Sequence, residues 1–152
     1  MFKHILIPTD GSDLSLHSAL AGIQLAKVLN ARVTGFFSQQ DYPNPPFDEY
    51  TPLALGTPDA FRAAEKANAQ KCLSEIESHA RSSGVAFQSQ STISNHPHSA
   101  IISAAKETGC DLIFMASHGR RGISALLLGS ETSKVLTHCT IPVLVYRESQ
   151  AK

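Results

Sequence analysis

The chain has 152 residues, of which 42% are hydrophobic and 17% charged, and we expect residues 1–152 to form one globular domain. Its 13 basic and 13 acidic residues cancel, so the charge gives no reason to expect a nucleic acid or an anionic membrane as partner. No apolar run reaches the roughly 18–20 residues of a membrane helix, and the strand beginning beside Met1 leaves no room for a signal peptide. Three cysteines without CxxC spacing are typical of reduced thiols, so we expect a cytoplasmic protein.

Apolar runs and helical periodicities alternate along the chain, separated by turn and capping residues. In chain order, they predict strand Ile5–Ile7, a helix capped by Ser12 or Asp13 and running to about Asn30, strand Val33–Phe37, a helix from Pro58 to Gly84, strand Val85–Ile93, a helix from Pro97 to Gly109, strand Leu112–Ala116, helix Ser130–His138 and strand Pro142–Tyr146. The first helix is expected to have Leu16, Leu20, Ile23 and Ala26 on one apolar face.

The segment 38–57 shows no periodicity and contains Pro43, Pro45, Pro46 and Pro52. Connections of this length are usually functional or mobile, so we expect a mobile loop that covers a ligand site or a partner surface.

Five strands alternating with four helices predict an α/β fold, because right-handed crossovers produce a parallel sheet with helices on both faces. We expect a doubly wound, Rossmann-like sheet of strand order 3-2-1-4-5. Ligands bind such sheets outside the carboxyl ends of the strands, where the winding direction reverses. The loops Pro8–Ser12 and Ala116–Ser130 would meet at this point, between strands one and four.

The second of these loops has the composition of a phosphate site. Gly119 and Gly129 would allow the backbone to approach a phosphate closely, and Ser130 stands at a helix N-terminus, where an anion is favoured. Arg120 could add charge-assisted contacts, and Asp10 on the first loop could accept hydrogen bonds from a ribose or an adenine amino group.

A purely structural interpretation stays open from spacing alone: the glycines make turns, Ser130 and Asp10 cap helices, and the arginines are solvated. The chain has no Gly-Lys-Ser/Thr loop and no GxGxxG after the first strand, so it contains neither a Walker loop nor an ordinary dinucleotide site.

His118 could contact a phosphate or bond the backbone. His96 and His98 lack the spacing expected of a metal site, and we expect none.

Four segments resemble the universal stress proteins: residues 5–12 (ILIPTDGS), 117–120 (SHGR), 127–130 (LLGS) and 141–145 (IPVLV). The nucleotide-binding members of this family carry Gly-x2-Gly-x9-Gly-Ser/Thr. Gly119, Gly129 and Ser130 match the later part of this motif, and Ala116 replaces its first glycine.

The resemblance implies binding of ATP, with or without Mg²⁺. It directs Pro8, Thr9 and Asp10 toward the nucleoside, and it puts Ser38 beside the adenine, where many members have an apolar residue. It directs Gly119, Gly129 and Ser130 toward the phosphates. We expect four more residues of the same loop to belong to the nucleotide site: Ala116, His118, Arg120 and Gly122.

Three functions remain open at this point. A nucleotide-binding module of the stress response is favoured over a slow ATPase or phosphotransferase, because no P-loop lysine and no general base are evident. A nucleotide-free interaction protein of the same fold is the third. The apolar last strand, Val143–Leu144–Val145, is expected at a sheet edge and predicts a homodimer, as the resemblance also implies.

Overall fold

Five strands alternate with four helices in the computed structural model, which describes residues 1–43, 56–119 and 128–148. The strands are β1 (His4–Thr9), β2 (Arg32–Gln39), β3 (Phe87–Ile93), β4 (Leu112–Ala116) and β5 (Val143–Tyr146). The helices are α1 (Asp13–Leu29), α2 (Pro58–Ser82), α3 (Pro97–Glu107) and α4 (Ser130–His138).

The strands form one parallel sheet in the order β3-β2-β1-β4-β5, which confirms the predicted fold. Helices α1 and α2 cover one face, where Ile23 and Ile76 share a core with Ile5. Helices α3 and α4 cover the other, where Ile101 and Val135 pack with Leu6. Strand β1 is therefore buried along its whole length, in agreement with its unbroken apolar run.

The third strand begins two residues later than the sequence predicts. Val85 follows the last helical residue of α2 but still takes part in its C-terminal cap, because the Val85 N–H donates to the Ala80 carbonyl at 2.9 Å. Gly84 makes this closure possible with a φ of +72°, a conformation that favours glycine. Of the predicted mobile loop, residues 44–55 lie outside the described residues.

Small residues allow α1 to approach the sheet most closely, while Leu16, Leu25 and Leu29 pack beside them. Ile23 and Ala26 are buried, but Leu16 and Leu20 are only half-buried. The close contact is made at Gly22, where an added Cβ would lie 2.7 Å from Cδ1 of Ile7. Leu16 packs against the core from the predicted apolar face, but periodicity does not say how closely each residue of that face approaches the sheet.

The ladder between β1 and β4 stops short of the carboxyl end of the sheet. Its last paired residues are Leu6 and Ile113, whereas β1 pairs with β2 as far as Thr9. The Lys3 carbonyl accepts from Arg32 on the β2 side, so even-numbered residues of β1 face β4. Pro8 is such a residue and has no N–H to donate, so the pairing with β4 ends there.

None of the helices in the described ranges is long and apolar enough to cross a membrane. The cysteines are free thiols, with Cys110 buried and Cys72 and Cys139 half-buried.

His4 is a buried titratable group at the amino end of β1, with 3% of its surface exposed. Its Nε2 lies 2.7 Å from the hydroxyl of Thr34, which also accepts a hydrogen bond from Gln88. Burial, followed by the positive charge of Arg32, lowers the pKa of His4 below 6.5.

Acid should therefore destabilise the fold through His4. Above about pH 6.5 the side chain is neutral in both states, but below it the unfolded chain takes up a proton that the folded chain resists. The free energy of unfolding should fall below pH 6.5 by up to about 1.4 kcal/mol per pH unit until the folded-state pKa is reached. Urea unfolding between pH 7.5 and 5 should show a flatter dependence for His4→Gln than for wild type. His79→Gln, at an exposed histidine, is the control, and equal slopes for all three proteins would contradict the assignment.

Candidate functional site

The loops that follow β1 and β4 meet at the carboxyl end of the sheet, where the predicted reversal lies. The carboxylate of Asp10 packs directly on Cα of Gly119, so that any Cβ there would overlap Oδ2. The φ of Gly119 does not lie in the left-handed region, so its backbone conformation would accept other residues. Glycine is required because the Asp10 carboxylate lies too close to leave room for a Cβ.

Asp10 is oriented by the start of α1. Its Oδ1 accepts hydrogen bonds from the N–H and the hydroxyl of Ser12, at 3.0 and 2.7 Å. The Ser12 hydroxyl in turn accepts from Ser15 N–H at 3.2 Å and caps the helix. The carboxylate is therefore held at the mouth of the crevice by the residues that begin α1.

Thr9 is buried beneath the loop that follows β1 and holds it through hydrogen bonds. It is 7% exposed, and its hydroxyl accepts from Gly11 N–H at 3.1 Å and lies 2.9 Å from the hydroxyl of Ser15. Pro8 is also buried. Both residues shape the crevice, and their side chains are not displayed to a ligand.

On the opposite side, Gly129 is the N-cap of α4 and provides no side chain to bond the first-turn amides. Its N–H donates to the Ser117 carbonyl at 2.8 Å, and an added Cβ would lie 3.0 Å from Cα of His118. Ser130, the first helical residue, is exposed. The positive end of α4 is therefore accessible beside the loop that carries Gly119.

Ala116 is the last residue of β4. Among the described non-glycine residues, Asn30 has a positive φ and Ala116 does not. Ala116 is buried and pairs with Tyr146, and its carbonyl accepts a hydrogen bond from the Thr132 hydroxyl at 3.0 Å. Alanine adopts this extended conformation without strain.

The remaining predicted residues are more scattered. Nδ1 of His118 lies 3.1 Å from the hydroxyl of its neighbour Ser117. The hydroxyl of Ser38 donates to the Ser94 carbonyl at 3.4 Å, toward the end of β3. Arg120 and Gly122 lie outside the described residues.

Sequence reasoning missed Glu131, which joins the starts of α3 and α4. Its Oε2 accepts hydrogen bonds from the backbone N–H and the ring Nδ1 of His98, at 2.9 and 3.0 Å. Its Oε1 accepts from Lys134 at 2.8 Å. Burial raises the pKa of Glu131, but the hydrogen bonds from Lys134 and His98 outweigh it, and the pKa is lowered. A glutamate in a first helical turn is so common that no sequence signal marked it.

In the part of the chain that the structure describes, no three His, Cys, Asp or Glu side chains are grouped so as to hold a metal ion. The reversal of strand order at β1 and β4 identifies a doubly wound α/β protein with a crevice at the switch point.

The chain belongs to the universal stress protein family, whose profile matches residues 1–147. It is similar to universal stress protein YxiE of Bacillus subtilis, with 31% identity over 97% of this chain and 100% of the relative. The solved structure of MJ0577 from Methanocaldococcus jannaschii has a TM-score of 0.81 and 25% identity, over 99% of both chains. A universal stress protein in complex with cAMP has a TM-score of 0.69 and 22% identity, over 97% of this chain and 98% of that one.

The contact between Asp10 and Gly119 can be tested by a double-mutant cycle. Gly119→Ala should displace the carboxylate and lower the melting temperature, by an amount that corresponds to roughly 1–2 kcal/mol. In an Asp10→Ala background the overlap is removed, so the same substitution should cost less than half as much. Thermal unfolding of the four proteins measures the difference, and equal costs in both backgrounds would place the strain elsewhere.

Proposed function

We propose that this protein binds an adenine nucleotide, with ATP as the expected ligand, in the crevice between β1 and β4. The observation that carries the proposal is the approach of Asp10 to Gly119 beside the exposed start of α4. The carboxylate of Asp10 and the N-terminus of α4 then face the same crevice. A nucleotide requires both, because its nucleoside donates hydrogen bonds and its phosphates are anionic.

Each loop has a separate part in this proposal. Asp10 accepts hydrogen bonds from the nucleoside, and the backbone beside Pro8 and Thr9 lines the crevice. Gly119 and Ser130 bind the phosphates through a backbone N–H group and a hydroxyl. The N–H of Gly129 already bonds the Ser117 carbonyl, so Gly129 contributes by having no side chain in the way of the ligand. Ser38 is less favourably placed, because its hydroxyl bonds Ser94.

Ala116 is compatible with this site because its φ is not left-handed and its carbonyl bonds Thr132 away from the loop. The loop also contains His118, Arg120 and Gly122, which complete the proposed phosphate side. The fold neighbour solved with cAMP supports an adenine nucleotide as ligand.

We propose binding rather than rapid hydrolysis, with or without Mg²⁺, in a cytoplasmic protein of the stress response. Among the described residues at the crevice, the carboxylate of Asp10 is bonded to Ser12, and that of Glu131 is bonded to His98 and Lys134. Within the described ranges, neither carboxylate belongs to a group of three or more His, Cys, Asp or Glu side chains that could hold a metal ion.

Titration calorimetry with ATP tests the proposal. Wild type should release heat on binding, and Gly129→Val should weaken binding at least tenfold, because a side chain at this position meets the His118 backbone. Ala116→Gly is the matched control and should change the affinity less than tenfold, since alanine is unstrained there.

Circular dichroism and thermal unfolding of the variants separate lost binding from lost folding. The absence of heat up to millimolar ATP in wild type would reject ATP as the ligand. If wild type does not bind ATP but Ala116→Gly does, then Ala116 is the residue that prevents ATP binding.

We also propose a homodimer joined through β5. This strand pairs with β4 on one side, and at its other edge Leu144 is 39% exposed while Val143 and Val145 are half-buried. The segment after it turns toward α1, where Glu148 contacts His17 at 2.8 Å. Two copies could pair their β5 edges antiparallel across a twofold axis.

Replacing Leu144 by lysine should convert the dimer into a monomer, because a charge would be buried in the paired edge. Light scattering should give twice the chain mass of 16.3 kDa for wild type and the chain mass for Leu144→Lys. Val28→Lys, at a residue that is 83% exposed on α1, should leave the dimer intact. A wild-type mass near 16.3 kDa at micromolar concentrations would refute the dimer.

A further inference from the structure

Glu131 stands between two helix N-termini that open at the same end of the sheet. It lies in the first turn of α4, directly after Ser130. Its side chain reaches across to the first turn of α3 and accepts the backbone N–H of His98 at 2.9 Å. One residue of the first turn of α4 therefore caps the first turn of α3.

At α3 this carboxylate accepts a hydrogen bond from the first turn of the helix, a position that an external anion could otherwise occupy. The N-cap residue, His96, makes no side-chain cap, and Pro97 at the first helical position has no N–H. The N–H of His98 is then the first amide donor of α3, and Glu131 accepts from it. The N-terminus of α3 is thereby neutralised from within the protein.

At α4 the same carboxylate weakens the field that attracts phosphate. An anionic side chain in a first turn offsets the positive end of the helix dipole. Lys134 compensates part of this charge through its bond to Oε1, and the 35% exposure of the Glu131 side chain admits some solvent screening. The remaining negative charge lies one residue from Ser130.

We propose that Glu131 determines how the site responds to ligand charge, by reducing the affinity gained from each phosphate after the first. This inference rests on the proposed nucleotide site. The first phosphate can contact the amides of α4, whereas further phosphates add negative charge within a few ångströms of a fixed carboxylate. At the distances of adjacent residues, one carboxylate charge that Lys134 compensates only in part should change the affinity for ATP by roughly three- to tenfold.

The experiment compares wild type with Glu131→Gln, which keeps an oxygen to accept from His98 but removes the charge. Dissociation constants are measured for cAMP, AMP, ADP and ATP, which carry about one to four negative charges near neutral pH. EDTA is present because Mg²⁺ would neutralise the polyphosphates. The variant should bind cAMP almost as wild type does and should gain affinity progressively along the series, by roughly three- to tenfold for ATP. Added salt should reduce the gain.

Glu107→Gln, at the opposite end of α3, removes the same charge far from the crevice and should leave the four affinities unchanged. If Glu131→Gln changes all four affinities equally, or changes none of them, then Glu131 only caps α3. That result would overturn the inference but would leave the proposed nucleotide site intact. Weaker ATP binding by Glu131→Gln would also overturn it. If wild type and both variants bind no nucleotide, the proposed function fails, and this inference fails with it.

Discussion

The end of the β1–β4 ladder at Pro8 is the constraint on which the candidate site depends. In a parallel sheet, adjacent strands remain about 4.8 Å apart as long as their N–H and carbonyl groups alternate in register. Pro8 faces β4 and cannot donate, so the last paired residues are Leu6 and Ile113. Beyond them the two strands are no longer joined, and their crossovers turn to opposite faces. The same residue would be tolerated without consequence on a strand edge that faces solvent.

The two loops at this opening are fixed to the scaffold by hydrogen bonds of different kinds. On the β1 side, Asp10 and Ser12 bond each other as α1 begins. On the β4 side, Gly129 N–H returns to the Ser117 carbonyl, and the Thr132 hydroxyl returns to Ala116. Each loop is therefore anchored near its strand end, which is how a loop site keeps its geometry on a rigid sheet.

The electrostatics of the crevice come from helix ends more than from side-chain charge. Helices α3 and α4 both begin at this edge, and α3 is already capped by Glu131. That leaves α4 as the anion-attracting end next to Gly119, with Asp10 providing an acceptor on the opposite side. Such an arrangement favours a ligand that is polar at one end and anionic at the other.

The sequence by itself determined the elements, their order 3-2-1-4-5 and the two loops at the switch point. These follow from local information: apolar runs such as Leu112–Ala116 must be buried, and right-handed crossovers restrict how successive strands can be joined. The motif residues Gly119, Gly129 and Ser130 could likewise be named from their spacing.

Only the tertiary structure decided what depends on distances between elements. Ala116 proved to be extended and unstrained, and the first helix approached the sheet most closely at Gly22. Glu131 met His98, which lies 33 residues away along the chain. No periodicity or motif encodes such contacts, because they arise where two separately specified helices are brought to the same edge of one sheet.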